Sequence, residues 1–456
     1  MEIVTIETAS LGDRSYVVHD GSVAAVIDPQ RDIDRVMAVL DERGLELKAV
    51  FETHVHNDYV TGGFELARRT GASYHLHGAE RMTFAFTPLA DGDVVAVGAL
   101  RVRALHTPGH TPTHLSYVVA DGARDIAVFT GGSLLYGSVG RSDLIAAERT
   151  EELTRLQYRS ARRLADELPG DVEVRPTHGF GSFCSSGATS GRGESTLAIE
   201  RRTNQALTID DEDAFVRLIV AGLDDHPAYY AHMGPINREG PGDIDLSPAA
   251  LVDTTELLRR IHAGEWVVDL RTRRSFARDH LTGTINIGLE DHASTYLGWT
   301  IPWGTPVTLI ADTAADIAAM QRQLVRIGID RPAGRFPGGV AALDPAAPRG
   351  RYEVSDFAGL REAIDAGRDL AVLDARRRLE WQEGHLPGAM HIPLHELARR
   401  MDELADTEIW VHCASGYRAS IAASLLSRAG RRVVLIDDEF TEAAAHFAPA
   451  DTSARA

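Results

Sequence analysis

The sequence predicts an α/β protein of about three domains. Strand-like runs alternate with amphipathic helices from the first residues onward. In the second half one block recurs at a spacing of about one hundred residues, which implies two copies of a whole domain and not a solenoid repeat. Between the halves lies PINREGPGDIDLSP, Pro235 to Pro248, rich in Pro, Gly and Asp and expected to be a linker. These features place the domains at 1–242, 243–347 and 348–456.

In the first segment EIVTIE, SYVVHD and VAAVIDP read as strands. A helix comes next, because Ile33, Val36, Met37 and Leu40 repeat at helical spacing and Gly44 stands as its stop. KAVFET then reads as a buried strand that delivers THVHND to a loop at its C-terminal end, where α/β layers present ligands. In the second half DLRTRRSFARDHLTGTINI, from Asp269, matches DARRRLEWQEGHLPGAMHI, from Asp374. Each copy is preceded by an amphipathic helix ending in Ala-Gly, LLRRIHAG in one and LREAIDAG in the other, and DPAAPRGR from Asp344 separates them.

Composition narrows the chemistry. A formal charge of -19 disfavours nucleic acid and anionic membrane surfaces as partners. No apolar run approaches the roughly 18 residues of a membrane span, and MEIVTIETAS lacks the marks of a secretory leader, so a cytoplasmic location is expected. With two cysteines, Cys184 and Cys413, no disulfide framework organises the fold.

Cys413 opens CASGYR, between the strand EIWVHC and the helix IAASLLSRAG. A tight loop there turns the backbone N–H groups of Ala414, Ser415, Gly416 and Tyr417 inward on a helix N-terminus and so cradles an anion, the Cys413 thiolate or a persulfide on it. Gly416 lets the backbone close, and Arg418 adds charge and donors that favour the thiolate. The stretch resembles the rhodanese family of sulfurtransferases, whose loop is Cys-x-x-Gly-x-Arg; related phosphatases use a loop one residue longer. The resemblance covers roughly residues 355 to 445 and includes Asp374 and GHLPGA, which implies Cys413 and Arg418 as catalytic residues with Ala414 to Tyr417 and Asp374 binding substrate. DDEF at 437 to 440 departs from it, where many members have a Gly-Gly turn. The first copy keeps FPGGVAAL but has Asp312 in place of the nucleophile and no Arg at the loop end. A carboxylate cannot carry sulfane sulfur, so this copy is expected to be catalytically silent, with a structural or docking role.

With 19 His, about one His-x-His pair is expected by chance, so His54 and His56 alone carry little. The order of the later motifs carries more: TPGHTPTHLSY with His110, then PTHGFGSFC with His178. Together these resemble the metallo-β-lactamase superfamily, an αββα sandwich with His ligands on loops at one edge. GRSDL at 140 to 144, THGFGSFC and ERRTN at 200 to 204 are most similar to its persulfide dioxygenases, which hold one iron with two His and one Asp. His54 and His110 match those His, whereas FTGGSLL puts Gly132 where the resemblance implies Asp, and Tyr59 stands at another usual ligand position. His54, His56 and His110 still offer a three-His face suited to zinc, with Asp58 and His178 as remnants of a second metal position. The expected cofactor is therefore Fe(II) or Zn(II) at a weakened site, or none, the His then bonding one another in an empty pocket. Cys184 has no such loop around it and reads as structural.

The whole chain thus resembles persulfide dioxygenase–rhodanese fusions: an α/β protein with a metallo-β-lactamase αββα sandwich followed by two rhodanese-like α/β domains. That resemblance implies sulfide detoxification, with a low-molecular-weight thiol persulfide as substrate, sulfite or another sulfur acceptor, and a homo-oligomer. The alternatives are a zinc-dependent thioester hydrolase of the glyoxalase II type and a non-catalytic sulfur carrier or sensor.

Overall fold

A computed structural model describes residues 1–187, 191 and 193–447. The chain divides into two compact units, Met1–Ile244 with Val325–Gly328, and Asp245–Leu324 with Ile329–Ala456.

The first unit is built on two six-stranded sheets. One runs in chain order through Glu2–Thr8, Asp13–His19, Val23–Ile27, Glu46–Phe51, Ser73–His77 and Thr87–Leu89; the other runs from Ser195–Thr196 through Glu173–Pro176, Arg124–Gly131, Leu115–Asp121 and Leu100–His106 to Val94–Val97. Alternation along the strands decides which side chains meet. Tyr16, Val18, Ile27 and Phe51 pack with Val102, Leu115, Tyr117 and Phe129 in one core. The opposite face of the first sheet supplies Val17, Val26 and Val50 to a second core with Val36 and Leu40 of helix Asp34–Arg43 and Leu66 of helix Gly63–Thr70. Val118, Val128 and Val174 of the second sheet do the same with Leu164 and Phe215 of helices Thr150–Glu167 and Glu212–Ala221. This is the αββα sandwich. Helix Asp34–Arg43 ends at Gly44, whose φ of 63° is the left-handed cap that glycine adopts without a Cβ clash.

The boundary between the two units, Ile244 to Asp245, falls within the expected linker, whose residues 240–248 form neither helix nor strand, but its first five residues need correction. Pro235 lies inside helix Tyr230–Glu239, and Asn237 of that helix, fully buried, donates through Nδ2 to the carbonyls of His56 and Tyr59, both at 2.9 Å, and accepts the Thr61 N–H at 2.9 Å. The backbone groups of the His loop need partners once buried, and Asn237 supplies them.

In the second unit the two copies repeat the same parallel topology. Strands Ile285–Asn286, Trp266–Asp269, Val307–Ala311 and Gly334–Pro337 lie side by side, as do Met390–His391, Leu370–Asp374, Glu408–His412 and Val433–Ile436, with Glu353–Ser355 added at the far edge. The repeat extends to single bonds. Arg271 Nη2 bonds Asp269 at 2.6 Å and the Asp279 carbonyl at 2.9 Å; Arg376 Nη2 bonds Asp374 at 2.7 Å and the Gly384 carbonyl at 2.7 Å. His280 stacks on Phe276 at 4.0 Å, and His385 on Trp381 at 3.7 Å. Asp374, expected to bind substrate, is fully buried and paired with Arg376. Among the described residues no helix is long and apolar enough to cross a membrane.

Candidate functional site

Strand Glu408–His412 ends directly on Cys413, and helix Tyr417–Arg428 begins four residues later. The backbone reverses at Gly416, φ 89°, and its N–H points back to Cys413 Sγ at 3.2 Å. Cys413 is free and buried at the floor of this loop. The Ala414 carbonyl accepts the Phe440 N–H at 2.8 Å, so the DDEF stretch closes one side. Arg418 sits in the first helical turn, not at the end of the loop, and its guanidinium forks onto Glu380, Nη2 to Oε1 at 2.7 Å. Burial resists the charge on Glu380, but the Arg418 fork more than offsets it and holds the carboxyl down at about 2. Both partners therefore stay charged through the neutral range. Glu380, the partner of Arg418, is not singled out by the sequence; it lies inside the matched repeat at DARRRLEW.

In the first unit the five histidines of the predicted segments gather at one end of the sandwich. His54 has ring centroids 4.1 Å from His56, 4.7 Å from His110, 5.1 Å from His114 and 5.4 Å from His178. All are buried. Their hydrogen bonds fix which nitrogen is available. The Thr53 hydroxyl gives its proton to Asp28 Oδ2 at 2.8 Å, so His54 Nδ1–H donates to Thr53 Oγ1 at 2.9 Å and Nε2 keeps its lone pair. His56 Nε2 lies 3.2 Å from both Asp28 Oδ1 and Glu52 Oε2, leaving Nδ1. His110 Nδ1–H donates to the Arg141 carbonyl at 2.7 Å, which is what GRSDL contributes. His178 Nδ1 meets Asp13 at 2.9 Å and Asp58 at 3.2 Å. Burial and the charge of Asp58 push the Asp13 carboxyl well above the usual carboxylate range.

His54 Nε2, His56 Nδ1 and His178 Nε2 are left buried without hydrogen-bond partners. Such nitrogens are costly unless something binds them. His54, His56 and His178 can bring one ligand atom each within 4.8 Å of one another, and so can His110, His178 and Cys184. Imidazoles whose second nitrogen is held by a carboxylate, hydroxyl or carbonyl are the usual makings of a metal site, so the residues present fit a divalent transition metal. The structure joins His178 to the predicted pair His54 and His56, and brings His110 to the same cluster from its other side.

Two departures from the expected ligand pattern have visible consequences. Tyr59 is fully buried and stacks on His56, centroids 4.2 Å apart, with its hydroxyl toward the Asp28 carbonyl at 3.5 Å. At Gly132, a Cβ would stand 2.3 Å from His110 Cδ2 and 2.5 Å from Cγ. The volume in which a side chain would begin is filled by imidazole. His114, which sequence reasoning passed over although it lies four residues after His110, accepts the Gly132 N–H at Nε2, 3.1 Å, and so supports this collapsed strand end. Asn204 of ERRTN donates to the carbonyls of Leu135 and Ser138 at 2.9 and 2.8 Å, pinning the turn beyond Gly132. Gly132→Asp, the replacement that would supply the carboxylate, is accordingly expected to destabilise the protein by about 2–4 kcal/mol through overpacking, measured by chemical unfolding.

Comparison with known proteins agrees with both halves. The profile of the Metallo-beta-lactamase superfamily matches residues 13–178, and that of the Rhodanese-like domain matches residues 356–446. The chain is 28% identical over 255 residues to the Homo sapiens protein named persulfide dioxygenase ETHE1, mitochondrial, covering 53% of this chain and 82% of that one. It is 34% identical over 252 residues to a hydroxyacylglutathione hydrolase of Methylobacillus flagellatus, covering 54% and 91%. A crystal structure of a metallo-beta-lactamase from Staphylococcus aureus superposes with a TM-score of 0.67 at 26% identity, over 74% of this chain and 99% of that one. The sandwich with its buried histidines belongs to the metallo-beta-lactamase superfamily, and the chain is a fusion of that domain with a rhodanese-like domain.

Proposed function

We propose that this chain is an enzyme of sulfane-sulfur metabolism in which Cys413 accepts and passes on a sulfur atom. The observation that carries the reading is the Cys413 loop: a thiol at the end of a parallel strand, on a helix N-terminus, receiving the Gly416 N–H at 3.2 Å. The Cys413 thiolate attacks the outer sulfur of a donor such as thiosulfate; that S–S bond breaks and sulfite leaves with the electron pair. An acceptor thiolate then attacks the terminal sulfur of the Cys413 persulfide, and the Cys413 thiolate is released. The helix N-terminus and the loop N–H groups favour the anion in both states. Asp374 and Glu380 hold Arg376 and Arg418, and through them the walls of the loop.

In the N-terminal domain the same proposal assigns a low-molecular-weight persulfide as substrate, as similarity to the persulfide dioxygenase suggests. His54, His56 and His178, with His110 alongside, would hold Fe(II) or Zn(II); Asp13, bonded to His178 Nδ1 at 2.9 Å, would orient that ring, and Asp58 would set a buried negative charge beside it. Such an ion supplies Lewis acidity at a buried site. Gly132 supplies no carboxylate at the position where the resemblance implies Asp, so dioxygenation is expected to be weak or lost. A second reading, zinc-dependent thioester hydrolysis, is favoured by the imidazole-rich donor set, which suits zinc. Metal analysis of protein purified without added metal separates the two: iron with oxygen uptake on glutathione persulfide supports the first, zinc with thioester turnover the second. The proposal includes a cytoplasmic setting, in which both free cysteines stay reduced, and a homo-oligomer. Steady-state transfer from thiosulfate to cyanide or a thiol tests the Cys413 assignment; its absence with every donor tried sinks it.

A further inference from the structure

The copy that lacks a cysteine holds the loop of the copy that has one. A loop that turns its N–H groups inward turns carbonyls outward, and those need donors. The Ser415 carbonyl accepts Arg273 Nη2 at 3.3 Å, and the Tyr417 hydroxyl donates to the Gly288 carbonyl at 2.8 Å; Arg273 and Gly288 both belong to the first copy. Tyr296, also of the first copy, lies with its ring 5.6 Å from that of Tyr417. Asp437, its side chain 4% exposed, accepts Nε of Arg273 and Nε of Arg274, each at 2.5 Å. Its Oδ1 lies so close under Gly416 that a Cβ there would stand 2.5 Å away. Without the two guanidinium groups, this carboxylate would set negative charge beside a loop built to hold an anion. With them Asp437 is neutralised, although Arg273 also pairs with Glu290 at 3.2 Å. Asp437 is part of the DDEF stretch that departs from the family's Gly-Gly turn, and its partners are two consecutive arginines of the copy whose own nucleophile position is Asp312.

We propose that Arg273 is a positioning residue for sulfur transfer at Cys413: by bridging the Ser415 carbonyl and the Asp437 carboxylate it holds the backbone that aims the Gly416 N–H at the sulfur. The first copy is thereby part of the catalytic centre. This rests on the reading of Cys413 as the sulfur-carrying residue, and the test has one arm that does not depend on that reading.

In the full chain, Arg273→Ala is expected to lower kcat for thiosulfate-dependent transfer about tenfold or more, because small misplacement of a reacting group costs that much. KM should stay within about twofold, since Arg273 is not assigned a contact with substrate. Arg273→Lys, which keeps a cation for Asp437 but loses the fork, should recover part of the rate. The double variant Arg273→Ala, Asp437→Asn should lose no more than Arg273→Ala alone, as expected of coupled groups. The arm free of any assumed reaction is alkylation of Cys413 by iodoacetamide, whose rate should change by about fivefold or more in Arg273→Ala with the melting temperature held. An unchanged alkylation rate overturns the proposal whether or not the wild type transfers sulfur. So does a kcat within about twofold of wild type, or a loss entirely in KM. If the wild type is inactive while alkylation responds to Arg273, the positioning role stands and the sulfur-transfer reading falls.

Discussion

Cys413→Ser is expected to abolish sulfur transfer, lowering kcat by about 10⁴-fold or more, in line with removal of the nucleophile in other covalent catalysts. The hydroxyl that replaces the thiol is not ionised at neutral pH, and its oxygen does not carry sulfane sulfur. The scaffold should be little affected. The substitution disturbs one weak hydrogen bond, from the Gly416 N–H to Sγ, and the loop is held independently through Phe440, Glu380 and Asp437. Melting temperature within a few degrees of wild type, near 1 kcal/mol of stability, is therefore the accompanying result. Activity that survives in the purified variant would mean that another group carries sulfur.

His56→Ala is the second large change, this time in stability and metal content. His56 sits between Asp28 and Glu52 at 3.2 Å from each. Burial pushes the imidazolium down, but the two carboxylates more than offset this and hold it up at about 9. Burial likewise raises Glu52, to about 7, while Asp28 is kept low by His56 together with the Thr177 and Thr53 donors. Removing the ring leaves two fully buried acids with their cation gone. The expected cost is about 3 kcal/mol, toward the lower end for breaking a buried pair because Glu52 can take up a proton. Zinc bound per chain after equilibration and desalting should fall to about a tenth or less. The same clamp sets a pH signature. A His held above its unfolded value contributes its full stability below about pH 6.5 and loses it as pH rises through about 9. Unfolding of the metal-free wild type should show that loss across this window, and His56→Ala should not. Equal pH slopes for the two proteins would place the charge of His56 elsewhere.

Much of the fold was legible because its signals are local. Helix Asp34–Arg43 is set by the spacing of Val36 and Leu40 with Gly44 beyond. The recurrence of Asp-x-Arg and His-Leu-x-Gly announces the paired copies, whose equivalent bonds agree within about 0.2 Å. The Cys413 loop was legible for the same reason, since strand, cysteine, glycine, arginine and helix are contiguous. The hidden features depend on contacts across long stretches of chain. Asn237 looked like linker and instead carries the backbone of the His56 loop, 181 residues away. Asp28 and Glu52 gave no sign in sequence of closing on one imidazole. Gly132 read as a missing ligand, but the sequence does not show that the His110 ring fills the space where a side chain would begin. Arg273 and Arg274 belong to a copy that sequence marks as silent, and their partner Asp437 stood out only as a departure from pattern.

The most direct measurement is the intact mass of the protein after brief exposure to thiosulfate and rapid desalting, with peptide mapping of the product. The expected result is a gain of one sulfur atom on the peptide that contains Cys413, removed by cyanide or an acceptor thiol, and absent in Cys413→Ser. Protein that gains no sulfur, or a gain that persists in Cys413→Ser, would contradict the assignment of Cys413 as the sulfur carrier.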